Sequence, residues 1–194
     1  MDPSTLADAY LAGGARILQL RDKSGSSAAF LALAEHLVER AREFGAILIV
    51  NDRADVARLS RAGGVHVGQD DLPVPEVRRL LGPDAVVGLS THGVEQIDAA
   101  LESDANYVAV GPIFATVTKD TGYSARGLDL LRGAAGRGRP VVAIGGITLE
   151  RADAVVAAGA AGLAVISDLL TADPEARTRA FIAQIAKAAK LRTL

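Results

Sequence analysis

The sequence predicts an α/β fold, a (β/α)8 TIM barrel whose first strand is absent from this chain. Seven short aliphatic runs alternate with segments of helical spacing along the sequence. The runs lack clean apolar–polar alternation, which indicates strands buried on both faces of a parallel sheet. They recur about every 20 to 35 residues, a spacing typical of one repeated β-α unit. An open doubly wound sheet also fits seven strands, but the regular spacing favours the barrel.

The predicted elements follow one another in a simple order. The chain opens with a helix at 4–15 where a complete barrel would have a strand, so we expect the first strand to be missing. A truncated N-terminus, a misassigned start and a neighbouring chain that fills the gap are open explanations. The seven predicted strands cover 16–20, 46–50, 64–68, 85–90, 107–111, 140–145 and 162–167.

Helical segments occupy most of the intervals between these strands. The segment 26–45 has charges on one face and an apolar stripe on the other, formed by Phe30, Leu33, Leu37 and Ala41. The segment 148–159 begins at Thr148, whose side chain is able to cap a helix, and ends in glycine. Further helices are predicted at 73–82, 93–104 and 173–190.

The composition limits the possible functions. The 194 residues carry a net charge of −2, which gives no global sign of binding to nucleic acid or to an anionic membrane. There is no cysteine, so disulfides and thiolate chemistry are excluded. No export signal and no apolar run near ~18 residues is visible, and we expect a soluble, cytoplasmic protein. No linker interrupts the chain, so residues 1–194 are expected to form a single domain.

Groups able to bind a ligand, either polar side chains or open backbone N–H groups, follow the carboxyl end of every predicted strand. In parallel α/β folds these ends converge on one face, and that face holds the functional site. The groups that follow the seven strands are Arg21, Asp22 and Lys23; Asn51 and Asp52; Gln69, Asp70 and Asp71; Ser90, Thr91 and His92; Thr116 to Lys119; Gly145 and Gly146; and Ser167 and Asp168.

The charges in this set suggest a polyphosphate site. Asp52 and Asp71 would hold Mg²⁺, which needs only one or two carboxylates beside water and ligand phosphates. Cationic side chains would bind the remaining phosphate oxygens. Simple mutual neutralisation of these charges is the alternative. No pair of histidines has metal-ligand spacing, which disfavours a transition metal.

The last two strands end differently, in Gly145-Gly146 and Ile166-Ser167. These positions offer backbone N–H groups with little side chain in the way. Loops after the last two strands of a barrel, with a following helix N-terminus, commonly bind a phosphate monoester. The mouth is therefore expected to hold two anions, one bound with Mg²⁺ and one simple phosphate.

Taken together, these residues resemble the thiamine-phosphate synthase family. The motifs that carry the resemblance run in order from Arg16 to Ser167, and they are QLRDK, VNDRADVA, GVHVGQDDLP, GLSTH, YVAVGPIFATVTK, VVAIGGIT and AAGLAVIS. The resemblance implies a transferase that joins 4-amino-2-methyl-5-(diphosphooxymethyl)pyrimidine to a thiazole phosphate and releases pyrophosphate. It also implies a requirement for Mg²⁺ and a dissociative substitution through a pyrimidine-methyl cation.

The resemblance further implies a role for each matching position. Arg21, Lys23 and Lys119 are the implied catalytic residues, and Asp52 and Asp71 the implied Mg²⁺ ligands. The pyrimidine diphosphate would be bound by Gln19, Leu20, Arg21, Asp22, Lys23, Asn51, Ser90 and Lys119. The thiazole phosphate would be bound by Thr116, Val117, Thr118, Gly146, Ile166 and Ser167.

Two other functions remain open from the sequence. A related thiazole tautomerase is disfavoured, because that relative has a catalytic histidine where this chain has Pro112. A non-catalytic phosphate-binding barrel is the other alternative, since the first strand is missing. The expected partners are small-molecule substrates, with neither nucleic acid nor membrane, and a homo-oligomer is not excluded.

Overall fold

The computed structural model describes residues 1–116 and 122–191, with side chains up to residue 188. These residues form seven strands, eight α-helices and one short 3-10 helix. The strands are β1 (Ile17–Leu20), β2 (Ile47–Asn51), β3 (Gly64–Val67), β4 (Val86–Thr91), β5 (Tyr107–Val110), β6 (Val141–Ile144) and β7 (Gly162–Ala164). The α-helices are α1 (Pro3–Ala12), α2 (Ser27–Glu43), α3 (Ala54–Ser60), α4 (Val74–Leu81), α5 (Val94–Glu102), α6 (Gly127–Ala134), α7 (Leu149–Ala157) and α8 (Pro174–Leu191), and the 3-10 helix is Ser167–Leu169.

All seven strands form one parallel sheet in the order of the sequence, from β1 at one edge to β7 at the other. Each strand is joined to the next through a helical connection, so the repeated β-α unit is confirmed. The sheet curls as a TIM-barrel-like half-barrel, and its seven strands match the expectation of a barrel without its first strand. The carboxyl ends of all seven strands consequently lie along one rim.

Each strand has one face toward the helices and one toward the inside of the barrel. Leu18, Val50 and Val65 belong to the apolar cluster that the helices cover. Because side chains alternate along a strand, Gln19, Asn51 and His66 belong to the opposite face. The helix-facing core is almost purely aliphatic, as expected for a chain with 4% aromatic residues. The buried polar side chains of Asn51 and His66 therefore lie on the inner face of the sheet.

The features that the sequence predicts for the helices are confirmed in α2 but only in part in α7. In α2 the Ser26 hydroxyl accepts a hydrogen bond from Ala29 N at 3.2 Å, and Phe30 and Leu37 of the predicted stripe are buried. In α7 the prediction about Thr148 is wrong, because its side chain makes no capping bond there. The carboxylate of Asp168 accepts from Leu149 N at 2.8 Å instead.

Two helices were not predicted from the sequence, α3 and α6. Both are short, and neither begins with a side chain that caps it. Without a capping residue and with fewer than three turns, their apolar positions give little periodic signal. Among the residues that the structure describes, no helix is long and apolar enough to cross a membrane.

Candidate active site

The loop after β1 carries the first group of predicted site residues. Arg21 and Lys23 are exposed. Asp22 accepts hydrogen bonds from Ser24 N at 2.8 Å and Gly25 N at 3.2 Å, and these bonds lower the pKa of its carboxyl. The carboxylate thus shapes the turn that contains Lys23 and directly follows Arg21. Leu20 is buried in the helix-facing core, so only its backbone is available at the rim.

The end of β2 supplies Asn51 and Asp52. Asn51 is buried, and the chain turns at Asp52 with a φ of 64°, a left-handed conformation that aspartate tolerates better than most residues. Asp52 N donates to His66 O at 2.8 Å, which continues the pairing of β2 with β3 beyond the strand. This turn sets Asp52 between the end of β2 and the start of α3.

The loop after β3 brings Asp71 back to the rim. Its Oδ2 accepts from Gly68 N at 2.7 Å, and its Oδ1 takes no part in that bond. Gln69, two residues earlier, donates from Nε2 to Ser90 O at 2.6 Å. These two bonds hold the Asp71 loop against the carboxyl end of β4.

The donors at this rim suit a hard cation. Asp52 and Asp71 follow neighbouring strands and offer carboxylate oxygens, which Mg²⁺ prefers. Within residues 1–116 and 122–188, no group of three or more His, Cys, Asp and Glu side chains is placed to hold a metal. A pair of carboxylates completed by phosphate and water fits Mg²⁺ and does not fit zinc.

Beneath the rim, one histidine bridges two hydroxyl groups. His66 Nε2 lies 2.8 Å from Ser90 Oγ, and His66 Nδ1 lies 2.9 Å from Tyr107 Oη. Burial raises the pKa of the Tyr107 hydroxyl to about 12, partly opposed by a hydrogen bond from the Gln19 side chain. Tyr107 was not identified from the sequence. The only available signal was a tyrosine that opens an aliphatic strand, paired with Gly88 on the neighbouring strand.

His92 at the end of β4 is held in place by backbone and aromatic contacts. Its Nδ1 lies 2.6 Å from Gly111 O, and its ring stacks on Tyr123 with centroids 4.3 Å apart. The guanidinium of Arg126 lies 4.9 Å from the Tyr123 ring centroid. Tyr123 lies two residues after the segment 117–121 in the sequence, so this stack fixes the position of the chain there. Val117, Thr118 and Lys119 lie outside the described residues.

The loops after β5 and β6 touch one another beside Thr116. Phe114 N donates to Gly145 O at 3.1 Å. Gly146 has a φ of 64°, and a Cβ there would lie 2.6 Å from Ala115 O, so only glycine fits this contact. The close approach sets half-buried Thr116 next to the Gly145-Gly146 turn.

The loop after β7 is tied to the loop after β6 by Asp168. Besides Leu149 N, its Oδ2 accepts from Arg177 Nη2 at 2.7 Å. Exposed Ile166 and Ser167 immediately precede this anchor. The residues expected to bind the thiazole phosphate thus come from three adjoining loops, apart from Val117 and Thr118 in the segment not described.

Comparison with known proteins gives matches over most of the chain. A family model described as thiamine monophosphate synthase matches residues 2–169. A thiamine-phosphate synthase of Roseiflexus sp. (strain RS-1) is 46% identical over 185 residues, which cover 94% of this chain and 78% of the relative. One from Chlorobium luteolum is 43% identical over 183 residues, covering 93% of this chain and 86% of the relative.

A solved structure shares the fold closely. The thiamine phosphate pyrophosphorylase from Pyrococcus furiosus superposes with a TM-score of 0.90 at 29% sequence identity. The match covers 97% of this chain and 91% of that chain. The curled seven-strand sheet and its rim are therefore shared with a chain named for the same activity.

Proposed function

Because this chain belongs to the thiamine monophosphate synthase family, we propose that different loops of its rim bind the two substrates of the condensation that makes thiamine phosphate. The protein is a transferase with small-molecule substrates. In the proposal, the loops after β1 to β4 bind the pyrimidine diphosphate and the loops after β5 to β7 bind the thiazole phosphate. The observation that carries it is the order of the parallel sheet, which sets these loops side by side on one rim.

The pyrimidine diphosphate half is proposed to use charge and hydrogen bonding together. Exposed Arg21 and Lys23, with Lys119, bind the diphosphate oxygens. Buried Asn51 and Ser90 hydrogen-bond the substrate at the ends of β2 and β4. The turn made by Asp22 supports the loop that presents the two cations.

Asp52 and Asp71 are proposed to hold Mg²⁺ with the diphosphate. Both contribute only oxygen, and Oδ1 of Asp71 is not used by the Gly68 bond that fixes its loop. When bound, the ion neutralises negative charge on the diphosphate and so makes it a better leaving group. Either carboxylate alone would leave Mg²⁺ bound mainly by substrate and water.

The proposed reaction needs little acid or base from the protein. The C–O bond to the diphosphate breaks, and its electron pair leaves with pyrophosphate. The resulting pyrimidine-methyl cation is delocalised by the ring amino group. The lone pair of the thiazole nitrogen then forms the new C–N bond, so thiamine phosphate and pyrophosphate result without net proton transfer. The protein stabilises the departing charge and aims the nucleophile.

The thiazole phosphate half is proposed to position that nucleophile. Backbone N–H groups near Gly146 and Ser167 bind the phosphate, with Thr116 beside them. The contact of Ala115 with Gly146 and the Asp168 anchor support the joint use of these loops. Thr118 and Lys119 would lie between the two substrates, so one segment would couple the two halves.

Pyrophosphate release tests the proposal directly. Purified protein is mixed with both substrates and Mg²⁺, and pyrophosphate and thiamine phosphate are measured. Product in equal amounts, dependent on both substrates and on Mg²⁺, is the expected result. Binding of either substrate without release of pyrophosphate would support a non-catalytic barrel. Full activity in the presence of a chelator would contradict the metal assignment.

A further inference from the structure

Three polar side chains from three strands form a hydrogen-bonded cluster below the rim. They are Tyr107 on β5, His66 on β3 and Ser90 on β4. One of them, Ser90, is a proposed substrate-binding residue. The other two, His66 and Tyr107, have no role in the reaction described above.

A glycine on β4 leaves space for the contact between His66 and Tyr107. Gly88 pairs directly with Tyr107, and a Cβ at that position would overlap the Tyr107 ring and hydroxyl. The same Cβ would lie 2.6 Å from His66 Nδ1. The contact between the imidazole and the phenol thus depends on a glycine between them. His66 is 6% exposed and Ser90 4%, so these groups must satisfy one another rather than rely on water.

The hydrogen positions in this cluster follow from the donor and acceptor strengths of its members. A neutral imidazole has one N–H and one bare nitrogen, so it donates to one hydroxyl and accepts from the other. A phenol is a stronger hydrogen-bond donor and a weaker acceptor than an aliphatic hydroxyl, so Tyr107 rather than Ser90 donates to the ring. The Tyr107 proton then has His66 Nδ1 as its acceptor. The remaining His66 N–H, on Nε2, donates to Ser90 Oγ.

The opposite tautomer reverses these roles. The Tyr107 oxygen would accept from His66, and the Tyr107 proton would need a different acceptor. Ser90 would donate its proton to His66 and would present only a lone pair to the rim. Phosphate oxygens only accept hydrogen bonds at neutral pH, so that arrangement would repel the diphosphate.

We propose that His66 and Tyr107 are positioning residues that fix the Ser90 hydroxyl as a hydrogen-bond donor to the pyrimidine diphosphate. This inference rests on the proposed function, since it assumes that Ser90 meets an anionic substrate. The negative charge on the diphosphate grows as the C–O bond breaks, so a donor fixed in advance stabilises the transition state more than the bound substrate. Loss of the alignment should therefore lower kcat more than it raises KM.

Two substitutions of the same residue separate this role from simple packing. The amide of a glutamine reaches the place of His66 Nε2 and can donate to Ser90, whereas an asparagine reaches only the place of Nδ1 beside Tyr107. We expect H66Q to keep most of kcat and H66N to lose about ten- to a hundredfold, at similar KM. If His66 only supports Tyr107 packing, H66N is the better enzyme, and that order of kcat would overturn the proposal. Equal kcat in the two variants would overturn it as well.

The tautomer itself is measurable without any activity. The chain has three histidines, so ¹⁵N spectra of protein labelled on histidine are simple, and the signals lost in H66Q identify His66. We expect Nε2 of the neutral ring to be protonated and Nδ1 to be bare, and Tyr107→Phe to admit the second tautomer. A protonated Nδ1 in the unsubstituted protein would refute the proposed positioning role of His66 even if the enzyme is active. A wild-type protein that releases no pyrophosphate would instead refute the proposed function and leave the tautomer result standing.

Discussion

Replacing Asp168 by alanine removes one carboxylate that accepts hydrogen bonds from two helices, α7 and α8. Its Oδ2 accepts from Leu149 N, at the start of α7, and from Arg177 Nη2 on α8. The two side chains of the ion pair are 19% and 25% exposed, so solvent screens their interaction only in part. The pKa of Arg177 is raised mainly by its hydrogen bond with Asp168, which agrees with a formed pair.

The expected loss follows from these two bonds. A hydrogen bond to a charged group contributes roughly 1.5–3 kcal/mol, and loss of a helix N-cap costs about 1 kcal/mol. Since both bonds share one carboxylate, we expect the free energy of unfolding to fall by about 2–4 kcal/mol. For a domain of this size, that corresponds to a decrease in Tm of roughly 5–15 °C.

Urea and thermal unfolding followed by circular dichroism provide the assay, and Glu150→Ala is the matched control. Glu150 contacts the same Arg177 nitrogen, but at 3.4 Å and with its side chain 72% exposed. Its loss should therefore destabilise the fold much less than the loss of Asp168. Asp168→Asn keeps an acceptor for Leu149 N but loses the charge, so its effect should fall between the two.

Asp168→Ala should also weaken binding of the thiazole phosphate by the adjoining loop. Asp168 directly follows Ser167, so its removal should raise KM for the thiazole phosphate and leave KM for the pyrimidine diphosphate nearly unchanged. Equal destabilisation by the Asp168 and Glu150 substitutions would refute the reasoning. So would a loss below about 0.5 kcal/mol for Asp168→Ala, which is the range of ordinary surface changes.

Three further predictions concern the proposed chemistry and the buried tyrosine. Lys119→Ala should raise the barrier by ~2–4 kcal/mol, the scale of one preorganised donor, and normal turnover in a pyrophosphate assay would refute its role. Asp52→Asn and Asp71→Asn should each move activity to higher Mg²⁺ concentration, and unchanged titration curves in both would refute the metal assignment. The folded-state pKa of Tyr107 is raised to about 12, so its stabilisation is complete below pH 10 and is lost as pH rises toward 12. Urea unfolding between pH 9 and 11 should therefore show a steeper decline for the wild type than for Tyr107→Phe, by about 1 kcal/mol per pH unit above pH 10, and parallel declines would contradict this.

Much of the fold follows from local patterns. The aliphatic runs coincide with the seven strands to within a few residues, because a strand covered on both faces is mostly apolar. The helices with caps and clear stripes were also predicted, α2 being the clearest case. The helices α3 and α6 were not, since both are short and begin without a capping side chain.

The candidate site was predictable for a topological reason. In a parallel sheet with consecutive strands as neighbours, every strand ends on the same rim. The topology alone therefore predicts that the polar groups after the strands lie close to one another. Asn51, Ser90 and Gly146 illustrate this, since each follows or ends a strand. The roles assigned to these residues remain predictions.

The sequence by itself determined the class of fold, the strand order and the rim on which the site is built, because each depends on periodicity and on short-range connection rules. The tertiary structure alone decided that His66 bridges Ser90 and Tyr107, the latter 41 residues away. It also decided that the side chain of Asp168, rather than that of Thr148, accepts the hydrogen bond from the first residue of α7. Such contacts join side chains from different strands and loops. Their distances are set by strand register and by the curvature of the sheet, which no local stretch of sequence encodes.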